Sequence, residues 1–347
     1  MSAVQPTIMI IDARFLREEF VPREVVHRDP EVNHLSSVLQ PLADGRPADT
    51  ALISGPSGSG KTCISKFTVD RLKQENLDVE SIYVNCWDDH SRFQVLFRIL
   101  DEVTSTVDIH RQSTPRDVLF ERLRDHEEPP CVVILDEVDQ LEDREILYEL
   151  LGLQSFSLVL IANDVEELLA EVDERLASRL RSAEHIRFHT YTTDELVDIL
   201  RERADRALAH DAISSSELEL IADEASGDAR VAIATLKLAA RQAERDDAQR
   251  ITTDHVRQAV PDAHQELRQK NLDALSDHQR KIYEIIEEHG SIPPGDLYSE
   301  YRSRVDNPKS DRTVRSYLTK MERYNLVTAE GSTQDRLYRC LASASPS

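Results

Sequence analysis

Lysine is scarce in this 347-residue chain. Of its 42 basic residues only 8 are Lys and 34 are Arg, against 65 acidic residues, for a net charge of −23. An acid excess with so little lysine suits a protein that stays hydrated in molar salt, so a halophilic source is expected. Cysteine is scarce too. The four cysteines, Cys63, Cys86, Cys131 and Cys340, share no CxxC or Cys/His ligand spacing. That excludes a disulfide framework and a zinc site, and fits a reducing cytosol. No run approaches the ~20 consecutive apolar residues of a membrane span. Residues Met1 to Asp12 lack the basic stretch and cleavage site of an export signal. A cytoplasmic protein with no membrane partner is the expectation. Internal repeats and low-complexity tracts are missing as well. What remains is ordinary folded composition, 40% hydrophobic and 31% charged, of a length that suits about two or three domains.

The charge is unevenly placed. Residues 264–347 carry 13 basic and 13 acidic side chains, so the whole negative excess lies in residues 1–263. A neutral module on an acidic chain suggests that this end meets something negative.

From Ala51 to Phe188, short apolar runs alternate with helical stretches: Ala51–Ser54, Val79–Asn85, Cys131–Leu135, Ser157–Ala162 and a weaker His185–Phe188. Continuous apolar runs separated by helices predict buried parallel strands. From Thr192 the strands stop, and helices are predicted over Thr193–Ala209, Ser214–Ala225, Ala229–Asp246 and Thr252–Val260, with Pro261 closing an all-α domain. The spacing thus divides the chain into 1–189, an α/β core, 190–263, a small all-α domain, and 264–347, a third domain.

In that last segment the apolar spacing predicts helices over His278–His289, Pro294–Tyr301 and Asp311–Tyr324, then a hairpin from Leu326–Ala329 to Arg336–Leu341 around Gly331. Three helices and a hairpin read as a winged helix-turn-helix. Seven basic residues against four acidic ones between Glu300 and Arg323 favour double-stranded DNA as its partner over a protein. Arg312, Arg315, Lys320, Arg323 and Arg336 are the candidate DNA-binding residues.

The chemistry lies in the α/β core. Gly55-Pro56-Ser57-Gly58-Ser59-Gly60-Lys61-Thr62 matches GxxxxGK[ST], between a predicted strand and a predicted helix. Such a loop turns its backbone N–H groups of Gly55, Ser57, Gly58, Ser59 and Gly60, and on into Cys63, around phosphate oxygens at a helix N-terminus. Lys61 would reach the β- and γ-phosphates of ATP, and Thr62 would hold Mg²⁺. Asp136 and Glu137 follow the apolar run Val132–Leu135. Asp136 would bind Mg²⁺ through water, and Glu137 would polarise the attacking water. Asn163, after the next run, can orient that water without adding charge, or can simply form a turn.

P-loop, Asp-Glu strand, strand-end Asn and helical lid together resemble the AAA+ ATPases. Within that class the chain is similar to the archaeal and eukaryotic replication initiators of the origin recognition complex and cell-division-cycle loader family. The similarity is carried by Phe20 to Asp29 (FVPREVVHRD), Tyr83-Val84-Asn85-Cys86 with Phe93 to Leu96, Ser178-Arg179-Leu180, Gly227-Asp228-Ala229-Arg230 and the C-terminal module. It spans about residues 8–340. The resemblance implies an AAA+ core, a helical lid and a winged helix, binding ATP or ADP with Mg²⁺ and hydrolysing slowly as a switch. It implies that Arg230 contacts the γ-phosphate within its own subunit, that Tyr191 and Arg203 contact nucleotide from the lid, and that Arg179, helped by Arg175, reaches a neighbour's nucleotide. Implied partners are replication-origin DNA, a replicative helicase and other initiator subunits, in a nucleoid-associated cytoplasmic protein. Two places depart from the family pattern. Ser332 to Asp335 replace a wing glycine, and the loop from Leu100 to Pro115, with Arg111 and Arg116, lacks another. A divergent winged-helix AAA+ protein acting as a regulator or mobile-element factor is therefore the alternative function.

Overall fold

The structure, a computed structural model, describes residues 8–75, 79–106, 109, 114–126, 130–331 and 336–341. Arg111 and the stretch 332–335 lie outside the described residues. The chain forms two compact units, 1–252 and 253–347.

In the first unit, helix α1 (Asp29–Ala43) precedes strand β1 (Ala51–Ser54) and helix α2 (Lys61–Glu75). Then come β2 (Glu80–Asn85), α3 (Arg92–Val103), α4 (Arg116–Arg124), β3 (Cys131–Asp136), α5 (Glu145–Leu150) and β4 (Phe156–Ala162). The core closes with α6 (Val165–Ala170), α7 (Glu174–Arg181) and β5 (Glu184–Arg187). All five strands are parallel, in the order β2-β3-β4-β1-β5. Every residue of β3 and β4 is buried, because helices cover both faces of the sheet, which is why these strands read as unbroken apolar runs. One layer packs Val95, Leu96 and Ile99 of α3 against Val133, Leu135 and Leu158. The opposite layer packs Leu35, Leu39 and Ile64 of α1 and α2 against Ile53, Val132 and Ile161. Register pairs Ser54 with Ala162 and Leu135 with Leu160. The P-loop, Asp136 and Asn163 therefore leave the same carboxyl edge of the sheet, where ligands of open parallel sheets bind.

Three lid helices follow: α8 (Thr193–Ala207), α9 (Ser215–Ala225) and α10 (Ala229–Arg245). Thr192 and Glu195 form a reciprocal capping box on α8. Asp228 caps α10, accepting from the N–H groups of Arg230 and Val231. The N-terminal segment straps onto this lid. Ile10 bridges to Leu208, and Glu244 Oε1 near the far end of α10 accepts from the Met9 and Ile10 N–H groups at 3.2 and 3.5 Å.

The second unit holds α11 (Thr253–Asp273), α12 (Asp277–His289), α13 (Pro294–Arg304), α14 (Asp311–Arg323) and a hairpin of β6 (Val327–Glu330) with β7 (Leu337–Cys340). Three helices and an antiparallel hairpin follow α11 in the expected order. Ile282, Ile285, Ile286, Val314, Leu318 and Met321 are buried as the spacing predicts. Ile292 and Tyr338 exchange main-chain hydrogen bonds of 3.0 and 2.9 Å, adding a bridge beside the wing. One expectation fails. Pro261 ends no helix, since α11 runs through it to Asp273. Proline removes one N–H and costs about 3 kcal/mol in a helix interior. The strong helix formers from Ala263 through Glu266, Leu267 and Lys270 favour continuing the helix beyond it.

Candidate functional site

The loop between β1 and α2 turns on glycines in conformations that a side chain resists. Gly58 and Gly60 have φ of +73° and +92°. A Cβ at Gly58 would overlap the Asp228 carboxylate, whose farther oxygen would be 2.8 Å away. A Cβ at Gly60 would overlap the Tyr191 hydroxyl, with Cζ at 3.3 Å. Ser59 is buried and donates its hydroxyl to Pro56 O at 2.7 Å, holding the turn closed.

Lys61 is buried where α2 begins. Its Nζ donates to Gly55 O at 2.7 Å, Pro56 O at 2.9 Å and Asn163 Oδ1 at 3.3 Å. Burial lowers its proton affinity, and the carboxylates of Asp136, Asp139 and Glu137 oppose that shift. The Arg230 charge on α10 depresses it further. Asp136 Oδ2 accepts from Thr62 Oγ1 at 2.6 Å and from the Tyr83 hydroxyl at 3.0 Å. Burial raises the Asp136 pKa, while those two hydrogen bonds and the lysines pull it back. Hydroxyl and carboxylate on adjacent elements make a hard-oxygen donor pair of the kind that suits Mg²⁺ with water completing its shell. Glu137 takes a left-handed backbone at φ +56°, ψ +46°. Such a conformation is uncommon for a non-glycine residue and clusters at functional sites. Asn163 links Lys61 to Asp139, donating its Nδ2 to Oδ2 at 3.4 Å. P-loop, Asp136, Glu137 and Asn163 thus share one edge.

The lid reaches the same loop. The Ala229 N–H donates to Gly58 O at 3.1 Å, and Asp228 pairs with Arg230 at 3.0 Å. Tyr191, buried at the junction of core and lid, sits against Gly60. Arg203 is buried behind them, and its charge acts on the half-buried Cys63 thiol, whose pKa desolvation raises. Its guanidinium donates to the carbonyls of Phe15 at 2.8 Å, Arg17 at 3.0 Å and Phe20 at 3.2 Å. Those contacts anchor the N-terminal segment, so any influence of Arg203 on a bound base would run through that strap.

Arg175 and Arg179 are exposed on α7. The Arg179 guanidinium lies 4.2 Å over the partly exposed ring of Tyr148. In the second unit, Arg312, Arg315, Arg323 and Arg336 are exposed. Arg315 donates its Nε to the Tyr298 hydroxyl at 3.3 Å. Lys320 departs from its expected place, being only 9% exposed. Three residues after Tyr317, it falls about 60° round the helix from that inward ring, on the flank of the buried face. Sequence reasoning missed two residues altogether. Tyr83, the second donor to Asp136, reads in the sequence only as part of a strand. Arg28, buried at the start of α1 with its guanidinium 4.2 Å over the Tyr191 ring, carried no role beyond its HRD motif.

A parallel sheet in this strand order, a P-loop paired with an acidic strand end, and a helical lid returning to the loop define an AAA+ ATPase fold. Comparison with known proteins agrees. Residues 46–169 match an AAA domain family, and 197–261 match the Cdc6 AAA+ ATPase-type lid domain. ORC1-type DNA replication protein 9 of Halobacterium salinarum is 52% identical over 342 residues, covering 99% of this chain and 97% of that protein. ORC1-type DNA replication protein 1 of the same organism is 52% identical over 308 residues, covering 89% of this chain and 100% of that protein. The chain belongs to the ORC1-type DNA replication proteins. Among solved structures, the Aeropyrum pernix ORC1 protein in complex with DNA shares the fold at a TM-score of 0.75 and 24% identity, over 97% of this chain and 94% of that one. The Aeropyrum pernix ORC2 protein, solved in ADPNP-ADP complexes, gives 0.64 and 26%, over 96% and 95%. Halobacterial relatives fit the acidic, lysine-poor composition. Among the described residues, no helix is long and apolar enough to cross a membrane.

Proposed function

We propose that this chain is an ATP-dependent, DNA-binding initiator of DNA replication, switched by ATP binding and slow hydrolysis. The observation that carries the reading is the convergence of Lys61, Thr62, Asp136 and Asn163 at one strand edge, with the lid turn that bears Arg230 bonded to the same loop through Ala229 and Gly58. Backbone N–H groups from Gly55 to Cys63 would cradle the phosphates of ATP or ADP, with Lys61 and Arg230 neutralising them. Thr62 and Asp136 would hold Mg²⁺, which would supply charge neutralisation for the bound phosphates. Glu137 would accept a proton from the attacking water, and Asn163 would orient it. Tyr191 would flank the nucleotide, and Arg203 would secure the strap beside it. Arg179, presented outward on Tyr148, would serve a neighbouring initiator subunit's site. That division of labour makes hydrolysis by an isolated subunit slow.

DNA binding is assigned to the second unit, with Arg312, Arg315, Arg323 and Arg336 as contacts, and origin DNA and a replicative helicase as nucleoid partners in the cytoplasm. Support comes from the exposed arginines and from the related ORC1 protein solved with DNA. The initiator reading is favoured over a regulator or mobile-element factor because the 52%-identical relatives are named as DNA replication proteins. The test is fluorescent-nucleotide binding and phosphate release in molar KCl. Lys61→Ala should abolish binding, and Glu137→Gln should bind but not hydrolyse. Full hydrolysis by Glu137→Gln would remove Glu137 as the base, and normal binding by Lys61→Ala would overturn the site.

A further inference from the structure

We propose that Arg28 is a positioning residue: it latches the hinge between the α/β core and the lid, and thereby sets how long nucleotide stays bound. The proposal rests on the nucleotide reading of the P-loop given above.

His27 and Arg28 both take left-handed conformations, with φ of +63° and +68°. Two successive non-glycine residues there are uncommon and persist only where surrounding structure holds them. The turn drives the Arg28 side chain inward, leaving it 8% exposed. Its contacts converge on the hinge. Nη2 donates to His189 O at 2.5 Å, and the guanidinium lies 4.2 Å over Tyr191 and 5.5 Å from the Phe188 ring centre. Residues 188–192 are the linker between β5 and α8, the segment that must turn if the lid moves. Glu31, one turn along α1, fixes the other side of the fork at 3.2 Å. Next door, His27 Nε2 meets Asp198 on α8 at 3.2 Å. The HRD segment therefore grips the linker and the first lid helix together.

Tyr191 carries the grip to the phosphate loop. Its hydroxyl sits where a Gly60 Cβ would be, and its N–H donates to Gly227 O at 3.3 Å, beside the turn that presents Arg230. Arg28 is thus one ring removed from the loop and one turn removed from the arginine of the lid. A planar cation stacked on an aromatic in a dry setting is a directional contact, and it needs a guanidinium. Lysine would keep the charge and lose both the stacking plane and the fork. Swinging the lid away from Gly60 requires sliding Tyr191 off Arg28, so the stack resists the motion that releases nucleotide.

The test uses the full chain in molar KCl, loaded with a fluorescent ADP analogue and chased with unlabelled ADP in a stopped-flow instrument. Arg28→Lys and Arg28→Ala should each release the analogue about tenfold faster or more, the scale of losing a desolvated cation–aromatic contact. Association should change less than twofold. A purely structural role would instead lower the nucleotide-free melting temperature and leave release from folded protein unchanged. If Arg28→Ala does not fold, Arg28→Lys decides the matter. Because the effect runs through Tyr191, the double variant Arg28→Lys/Tyr191→Leu should release no faster than Tyr191→Leu alone. Release by Arg28→Lys within twofold of the native rate, or strictly multiplicative effects in the double variant, would overturn the latch. Failure of the native chain to bind the analogue at all would instead overturn the P-loop reading, and this proposal with it.

Discussion

Alanine at position 58 should lower the stability of the first unit by about 2–3 kcal/mol. Gly58 sits at φ +73°, and an L-residue held in left-handed backbone costs roughly 1–2 kcal/mol. The new methyl would also overlap the Asp228 carboxylate, whose Oδ1 caps α10 through the Arg230 N–H at 2.8 Å. Displacing that cap costs about 1 kcal/mol more. The Asp228–Arg230 pair is about a quarter exposed on each side, so its loss adds little. At about 2–4 °C per kcal/mol for domains near this size, the nucleotide-free melting temperature should fall by roughly 5–10 °C. Differential scanning fluorimetry in molar KCl measures the shift. Asp228→Ala alone should cost about 1 kcal/mol as a lost cap. Combined with Gly58→Ala it removes the colliding carboxylate, so the double variant should be about 1 kcal/mol better than the sum of the singles. Additive losses, or a Gly58→Ala protein that melts like the native chain, would refute the claim that loop and lid are fitted through this notch.

Other expectations are independent of that notch. Replacing Arg312 and Arg315 together with Ala should weaken specific duplex binding by more than ~1–3 kcal/mol, the scale of one good base contact. Fluorescence anisotropy across a KCl series reads this, and Lys320→Met, altering a buried residue, should leave the affinity within about twofold. Arg203→Met should strand three strap carbonyls and cost about 2–4 kcal/mol, seen as faster amide exchange in residues 9–20. Cys131 is fully buried and its thiol is pushed up to about 12, whereas an unfolded thiol ionises near ~8.5. Its contribution to stability is intact below about 8.5 and fades as pH rises toward 12. Urea unfolding at two alkaline pH values should therefore show a shallower loss for Cys131→Ala than for the native chain.

Local patterns in the sequence carried the fold well. β1 matches its expected span from Ala51 to Ser54, and the other strands begin and end within a residue or so of their apolar runs, because these runs are too short for helices and are bounded by helical stretches. The P-loop and the Asp136–Glu137 pair were equally plain, being contiguous motifs bounded by those strands. Pro261 is a local breaker, but the helix formers beyond it carry α11 through to Asp273. Lys320 misled because its type suggests solvent, while its place on α14 was set by the packing of Tyr317 and Met321. Arg203 and Arg28 depend on partners more than 150 residues away, such as Phe15 and His189. No periodicity reports such contacts. A charged residue near an aromatic-rich junction is the only signal, and it is weak.

Helix α10 has 17 residues, which at 1.5 Å per residue makes a rod about 25 Å long. One end is pinned to the phosphate loop through Gly58 O, and near the other end Glu244 holds the N-terminal strap. Each degree of tilt at the pinned end displaces the far end by about 0.4 Å. A peptide rotation in the loop too small to alter the core would thus be geared up along the rod. Met9 and Ile10 would travel with it, turning that segment into the pointer of a mechanical gauge whose input is the backbone of a single glycine.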